Sequence, residues 1–216
     1  MMKVVFFLLC VFWCMSSQAN LLINGSFENP DIAYGNYQYI DADDVPGWEG
    51  DAVEIWDHLY AQERLEPFDG EQYIEMNSVD GGDGVYEIFQ TFTTEVGSWY
   101  HVSMAAQARR SNDEVFSFSV VGDNGTIFER EVTEHTTSGW STVFYQFQAS
   151  SNTSTLYLTS SADVAPNLVT AANLVDNIKV LDMSQSNIAN VDVPVAPAIL
   201  GFSLIAFGIY RQKGKK

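Results

Sequence analysis

The sequence predicts an all-β fold, an antiparallel β-sandwich of the jelly-roll type, and three observations carry that prediction. Short runs alternate apolar and polar residues with a period of two, as half-buried strands do; in residues 114–121 (EVFSFSVV), Phe116 and Phe118 alternate with Ser117 and Ser119. Turn-forming sequences separate such runs, and Asp-Asn-Gly at 123–125 is a hairpin signal. No long stretch shows the helical 3.6-residue period. About ten short strands in one domain favour two packed sheets.

The candidate strands follow one another through residues 20–182, a length typical of one domain. The first lies in residues 20–30 (NLLINGSFENP), a short strand ending in a turn at Gly25. The remaining candidates are the runs 52–56, 71–77, 85–92, 98–108, 114–121, 126–132, 141–150, 154–161 and 173–182.

Residues 1–19 have the composition of a signal peptide. One basic residue, Lys3, precedes an apolar core, and small residues stand at Ser17 and Ala19, so cleavage is predicted before residue 20. The alternative, a first transmembrane helix, has a short apolar core for a bilayer of about 30 Å. Both cysteines, Cys10 and Cys14, lie in this segment. The predicted exported chain therefore has no disulfide, thiolate metal site or cysteine nucleophile.

The C-terminal end predicts a membrane anchor. Residues 193–210 carry no charge and would span about 27 Å as a helix at about 1.5 Å per residue. A polar spacer, 183–192, precedes this transmembrane helix, and the basic residues of 211–216 favour a cytoplasmic tail with the body outside. The layout resembles the PEP-CTERM sorting tails of Gram-negative bacteria, which implies processing by an exosortase-type membrane enzyme. Val195 and Ala196 stand where that motif has a Glu.

The body is strongly acidic. Residues 20–182 hold 27 of the chain's 28 acids, all but Asp192, against five basic residues, a net charge of about −22 with His neutral. Such a surface repels nucleic acid and anionic lipid, so neither is predicted as a partner. It is compatible with calcium and with neutral or cationic polymers.

An ordered set of segments runs through nearly all of the body: NLLINGSFENP (20–30), VPGWEG (45–50), VEIWD (53–57), DGEQYIEMNS (69–78), IFQTF (88–92), YHVSMAAQAR (100–109), GWSTVFYQFQA (139–149) and LVDNIKV (174–180). This ordered set resembles a family of galactose-binding-like jelly rolls, a domain of unknown function shared by plant cell-wall proteins and bacteria. The family is related in form to carbohydrate-binding modules.

The resemblance implies a structural calcium ion between the first and last strands, with Glu28 and Asp176 as its side-chain ligands. Calcium prefers six to eight hard oxygen ligands, and two strand ends can supply carboxylates together with backbone carbonyls. The alternative is that both residues are solvated surface acids. The acidic runs 41–44 (DADD) and 80–84 (DGGDG) fit no EF-hand spacing and are expected to be exposed turns.

A sugar-binding surface is predicted from aromatic density between residues 34 and 60. A pyranose ring presents an apolar C–H face and a polar rim, so its site needs aromatic rings beside hydrogen-bonding groups. The candidate ligand-binding residues are Trp48, Trp56, Tyr60, Tyr37, Arg109 and Gln90. The alternatives are that Trp48 and Trp56 belong to the core and that Arg109 neutralises neighbouring acids.

The motifs argue against an enzyme. The chain has neither Gly-x-Ser-x-Gly nor His-Glu-x-x-His, and its three histidines share no ligand spacing. Carboxylate pairs such as Glu54 and Asp57 arise by chance in so acidic a body. The prediction is an exported, non-catalytic surface or matrix module that binds extracellular or cell-wall polysaccharide. The alternative is a self-associating structural protein without sugar recognition.

Overall fold

The structure, a computed structural model, describes residues 18–58, 65–76, 85–160 and 173–184. In that part of the chain eleven strands and one short 3₁₀ turn, Ala42–Asp44, are present. The strands are β1 (Tyr37–Ile40), β2 (Glu49–Gly50), β3 (Val53–Asp57), β4 (Gln72–Glu75), β5 (Glu87–Thr93), β6 (Trp99–Gln107), β7 (Phe116–Gly122), β8 (Gly125–Val132), β9 (Ser141–Gln148), β10 (Thr153–Ser160) and β11 (Leu174–Asp182).

The strands form two antiparallel sheets. The six-stranded sheet has the order β1-β3-β4-β11-β6-β9, and the five-stranded sheet has the order β2-β5-β10-β7-β8. The predicted all-β antiparallel sandwich is confirmed. The predicted hairpin is also present, because β7 and β8 pair antiparallel with Gly122 opposite Gly125.

The core lies between the sheets and follows the two-residue period. In β7, Phe116, Phe118 and Val120 are buried, whereas Ser117 and Ser119 are partly exposed on the other side. Each fully buried side chain of this size contributes about 1.5–3 kcal/mol relative to exposure. One continuous buried cluster collects such residues from both sheets.

The predicted first strand is absent, although its segment lies where a strand would. The backbone amide of Leu21 donates to Val180 of β11, and the side chain of Asn20 accepts from the Val180 amide and donates to the Ile178 carbonyl. Asn20 thus replaces part of a backbone ladder. Gly25 is required by close approach, since a Cβ there would lie 2.1 Å from the Ile178 carbonyl oxygen.

The predictions for the two ends of the chain concern residues outside the described ranges. The signal peptide 1–19 is described only from Gln18, the spacer 183–192 only to Ser184, and the helix 193–210 and tail 211–216 not at all. Within the described ranges, no helix has the length and apolar character needed to cross a lipid bilayer.

Candidate functional site

The candidate site lies on the outward face of the six-stranded sheet. In β3, Val53 and Ile55 point into the core, so Glu54 and Trp56 point outward. These two pair with Glu75 and Tyr73 of β4 on the same face. All four outward side chains are nevertheless buried. A second apolar cluster therefore covers this face, formed by Trp56, Tyr73 and Leu174 with Leu65 and Trp140 packed against them.

Five aromatic side chains make a continuous row on this face, which we call the aromatic row: Tyr37, Trp56, Tyr73, Trp140 and Phe68. Tyr37 stacks on Trp56 with ring centroids 4.8 Å apart, and the Trp56 and Tyr73 rings lie nearly parallel at 6.5 Å. Trp140 meets Tyr73 edge to face at 5.7 Å and Phe68 at 6.4 Å. The middle of the row is buried, while Tyr37 at one end and Phe68 at the other are 40% and 44% exposed.

A buried ion pair lies against the aromatic row. The Arg109 guanidinium carbon is 4.7 Å from the centroid of the Trp56 ring, within cation–π range. Its Nη1 donates to both carboxylate oxygens of Glu75, at 2.8 and 2.6 Å, and Glu75 is fully buried. The Glu114 carboxylate accepts the backbone amides of Arg109, Arg110 and Ser111 and so holds the turn that positions Arg109. Arg109 is thus committed to an internal partner, as one alternative predicted.

A second carboxylate adjoins this pair. Glu54, which is 2% exposed, lies opposite Glu75 on one side and opposite Tyr39 of β1 on the other. Burial raises the pKa of Tyr39 to about 12, and the charge and hydrogen bond of Glu54 add to that rise. The phenol therefore stays protonated and donates to Glu54. Glu54 and Glu75 bring two carboxyl groups to this point of the face, and Arg109 brings one guanidinium.

The structure brings together three of the predicted ligand-binding residues. Tyr37, Trp56 and Arg109 come from β1, β3 and the turn after β6, and they meet in one stack. Tyr60 lies outside the described residues.

Trp48 and Gln90, two further predicted ligand-binding residues, are held by contacts inside the protein. Trp48 is 2% exposed, stacks on Phe27 at 5.0 Å and donates to the Asn24 carbonyl, so it belongs to the core. Gln90, on the five-stranded sheet, accepts from the Ile23 amide at 2.6 Å and donates to the Ile23 carbonyl at 3.0 Å. The Gln90 side chain thus hydrogen-bonds the backbone of the N-terminal segment as a neighbouring strand would. Its carbonyl oxygen and its NH₂ group are both occupied by Ile23.

Sequence reasoning missed other members of the site. Tyr73 and Glu75 share the outward face of β4 with a period of two, so alternation could have identified them. Trp140 has no such signal. It precedes β9 at the far edge of the sheet and is fixed by its contact with Tyr73 and by donation from its Nε1 to the Glu66 carbonyl at 2.8 Å.

The predicted calcium ligands converge on one turn, residues 68–72. Glu28 Oε1 accepts the Glu71 and Gln72 amides at 3.0 and 2.9 Å. Asp176 Oδ2 accepts the Phe68 and Asp69 amides at 2.8 and 2.9 Å. Burial raises the pKa of Asp176 to about 7, although these amide hydrogen bonds act in the opposite direction. Both acids brace the turn that carries Phe68 into the aromatic row.

The fit of this acid pair to calcium is partial. Carboxylate oxygens on both sides of one turn are suitable donors, but the oxygens named above accept N–H groups. Across the described ranges, no group of three or more Asp, Glu, His or Cys side chains is placed to hold a metal ion. Calcium at Glu28 and Asp176 would therefore draw most of its ligands from backbone carbonyls.

A hollow of about 350 Å³ opens on the other side of the sandwich, on the five-stranded sheet. It is lined by Val115, Phe116, Ser117, Glu129 and Glu131. Phe116 is fully buried and presents no exposed ring to a ligand. The polar groups of the hollow are the Glu129 and Glu131 carboxylates and the Ser117 hydroxyl. The aromatic row combines stacked rings with a buried ion pair, whereas the hollow offers only carboxylates and one hydroxyl. We therefore take the aromatic row as the candidate site.

One known protein family and several solved structures are similar to this chain. A family model described as "Protein of unknown function (DUF642)" matches residues 20–181. No curated protein sequence matches the chain. The chain is similar to a solved structure of TmCBM61 in complex with beta-1,4-galactotriose, at 16% identity and a TM-score of 0.46, covering 76% of this chain and 99% of that one.

Two further solved structures share this similarity. A family 16 carbohydrate-binding module is 16% identical, with a TM-score of 0.46, covering 76% of this chain and 100% of that one. A structure described by the words "CBM4 structure and function" is 15% identical, with a TM-score of 0.44, covering 74% and 99%.

Proposed function

The chain belongs to the DUF642 family of proteins of unknown function, and on that premise we propose that it is a non-catalytic module that binds a neutral polysaccharide outside the cell. The observation that carries this proposal is the aromatic row with its buried ion pair on the outward face of the six-stranded sheet.

The exposed part of the site suits a sugar ring. Tyr37 is 40% exposed and stands at the edge strand, with its ring held against Trp56. A ring fixed in this way loses little conformational entropy when an apolar sugar face packs on it. Tyr39 meets Tyr37 edge to face at 5.9 Å and is itself exposed, so its phenol places a polar group where a sugar hydroxyl would lie. Trp56 and Tyr73 support this surface from below.

The charges favour a neutral sugar over a uronic acid. The Arg109 guanidinium binds Glu75 with two short hydrogen bonds, so a ligand carboxylate would have to displace a buried partner. The body also carries a net charge of about −22. An anionic polymer would be repelled over the whole approach.

Affinity electrophoresis of the full chain in mild detergent tests the proposal. The gels contain β-1,4-galactan, β-1,4-xylan, a β-1,3-glucan or polygalacturonate. We expect retardation by at least one neutral polymer and none by polygalacturonate. Tyr37→Ala should weaken that retardation about tenfold in affinity, close to 1.4 kcal/mol. Unchanged mobility of the folded protein in all four gels would contradict the proposal.

The matched control is Tyr157→Ala. Tyr157 is also a partly buried tyrosine on an outward face, but it lies on the five-stranded sheet against Phe89 at 5.1 Å. Its removal should leave retardation as in the wild type. Equal losses for both variants would show that the outward face of the six-stranded sheet is not the binding surface.

The non-catalytic part of the proposal has its own test. Glu54 and Glu75 face each other on neighbouring strands, and glycoside hydrolases act through two carboxylates. Here Arg109 holds Glu75 and Tyr39 holds Glu54, so we assign both acids to supporting the site. New reducing ends released from a retained polymer would overturn that assignment.

The calcium ion remains part of the proposal, as a structural group at Glu28 and Asp176 near residues 68–72. Calcium at 100 times its dissociation constant would stabilise the fold by about 2.7 kcal/mol, measured as a higher melting temperature than with chelator. Glu28→Gln and Asp176→Asn should remove the calcium response, whereas the exposed Glu131→Gln should keep it. Equal melting temperatures in calcium and chelator would contradict a calcium site.

The location of the protein is likewise proposed from the sequence. Residues 1–19 would export the chain, and residues 193–210 would anchor it with the body outside the cytoplasm, open to exosortase-type processing. Mass spectrometry of both termini of the protein from its own cells tests this. A retained residue 1, or recovery of the body from the cytoplasm, would overturn the export.

A second candidate function is self-association as a structural protein. Trp99 and Phe144 favour it, because they are 50% and 58% exposed on the same outward face. Sedimentation velocity over a range of protein concentrations, without added glycan, measures it.

A further inference from the structure

A second group of aromatic side chains lies on the outward face of the six-stranded sheet, away from the aromatic row. In β6, Tyr100 and Val102 are buried in the core, so Trp99 and His101 point outward. In β9, Val143 belongs to the core, and Phe144 points outward. We call Trp99, His101 and Phe144 the distal strip.

The distal strip combines aromatic surface with polar groups. The His101 and Phe144 rings stack at 5.6 Å with an interplanar angle of 27°. In the antiparallel register, Gln148 lies opposite Trp99, and Gln146 lies opposite His101. Gln148 Nε2 donates to the Gly97 carbonyl at 2.8 Å, which keeps its amide beside Trp99. These rings, flanked by side-chain amides, offer an apolar face beside hydrogen-bonding groups, as Tyr37 and Tyr39 do at the exposed end of the aromatic row.

The fold does not require these rings. Outward positions on the five-stranded sheet carry many Thr and Ser side chains, for example Thr155 and Ser119, and one aromatic pair, Phe89 and Tyr157. Large apolar side chains exposed together on a soluble surface usually mark an interaction site. Exposing the apolar rings of the distal strip to water is unfavourable. A binding partner that covered them would remove that unfavourable contact.

The distal strip continues the candidate site along one face. Trp140, in the aromatic row, directly precedes β9, and Phe144 lies four residues further along, about 13 Å at roughly 3.3 Å per residue. Trp99 is opposite Gln148, another four residues and about 13 Å further. The register thus places aromatic side chains at successive levels from Tyr73 to Trp99.

We propose that the distal strip is a second contact region for the same neutral polysaccharide, so that the protein takes an internal stretch of an extended chain and not only its end. The inference rests on the proposed function, since it assigns a longer ligand to that site. A polysaccharide that contacts both the aromatic row and the distal strip gains affinity through the second contact, because it loses its translational freedom only once.

Calorimetric titration of the full chain in mild detergent tests this, with each neutral polymer of the panel above and its trisaccharide as probes. The wild type should bind the polymer about tenfold more tightly than the trisaccharide. Trp99→Ala and Phe144→Ala should lower polymer affinity about tenfold and leave trisaccharide affinity unchanged. Tyr37→Ala should lower both affinities, and Tyr157→Ala should lower neither.

The outcomes separate the two proposals. If Tyr37→Ala loses binding while Trp99→Ala and Phe144→Ala bind polymer as the wild type does, the distal strip is overturned and the proposed function stands. If no probe binds the folded wild type, both fail. If sedimentation shows dimers that Trp99→Ala abolishes while polymer affinity is unchanged, the distal strip is a contact between copies of the chain and the inference is overturned.

Discussion

The two outward faces of the sandwich differ in what they carry. On the five-stranded sheet, outward positions hold small polar or acidic side chains together with one aromatic pair, Phe89 and Tyr157. The polar side chains include Ser117, Ser119, Thr91, Thr93, Thr153 and Thr155, and the acidic ones include Glu129 and Glu131. On the six-stranded sheet the outward positions hold the aromatic row, two buried glutamates and Arg109.

The difference teaches which features the fold itself needs. An antiparallel sheet can leave one face in water, and the five-stranded sheet does so with polar side chains. Burying two carboxylates and a guanidinium costs desolvation that well-packed apolar residues would avoid. The six-stranded sheet therefore bears side chains whose cost the sandwich does not explain, and the proposed binding site accounts for them.

The largest predicted effect comes from removing Arg109. Arg109→Met takes the guanidinium from the fully buried Glu75 carboxylate, and breaking a buried pair in this way costs about 3–5 kcal/mol. Urea denaturation measures the loss. Arg109→Met combined with Glu75→Leu should recover most of it, because the buried charge is then gone as well.

The matched control for Arg109 lies on the five-stranded sheet. Arg130 pairs with Glu134, and both side chains are about a third or more exposed. Arg130→Met should cost about 1 kcal/mol or less, since water screens an exposed pair. Equal losses at Arg109 and Arg130 would contradict the contrast between a buried and an exposed ion pair.

A smaller effect is predicted where the two sheets meet. Burial lowers the pKa of His135, although its hydrogen bond to Asn173 and the charges of Glu114 and Glu134 oppose that shift. The unfolded chain thus takes up this proton at higher pH than the folded one. The stability that neutral His135 contributes is full above the unfolded value near pH 6.5 and is lost as pH falls from there to the lowered folded pKa.

The measurement is the free energy of unfolding in urea at several pH values, for the wild type and for His135→Gln. The difference between the two should change with pH by up to about 1.4 kcal/mol per unit within that window. A difference that is constant from neutral pH downward would contradict the assignment. The many carboxylates act on both proteins alike and cancel in the comparison.

The smallest predicted effect belongs to the five-stranded sheet. Thr91 and Thr155 share a hydroxyl–hydroxyl hydrogen bond of 2.9 Å on its outward face. Cross-strand pairs of this kind contribute about 0.2–1 kcal/mol, so Thr155→Val should change stability by no more than that. Its glycan retardation should equal that of the wild type. A loss above about 2 kcal/mol would show that this face contributes more than a solvated surface does.

Alternation within each strand predicts more of this molecule than composition does. The period of two in β7 predicts which residues fill the core, and in β3 it predicts that Glu54 and Trp56 share a face. Aromatic density pointed to Tyr37 and Trp56, which stack on each other, but equally to Trp48, which is buried against Phe27. The density of aromatic residues in the sequence shows only that rings are numerous. Their position in the fold determines whether they can contact a ligand or pack against one another.

The sequence by itself determined the class of fold and the acidity of the body, because periodicity and charge are properties of neighbouring residues. Only the tertiary structure decided which strands lie side by side. β11, near the end of the body, inserts between β4 and β6, so that Leu174 meets Glu75 and Gln107. That insertion brings Asp176 to the turn at residues 68–72. The alternation of apolar and polar residues within a strand predicts which side chains face the core. Which strand pairs with it in the sheet depends on the packing of the whole chain.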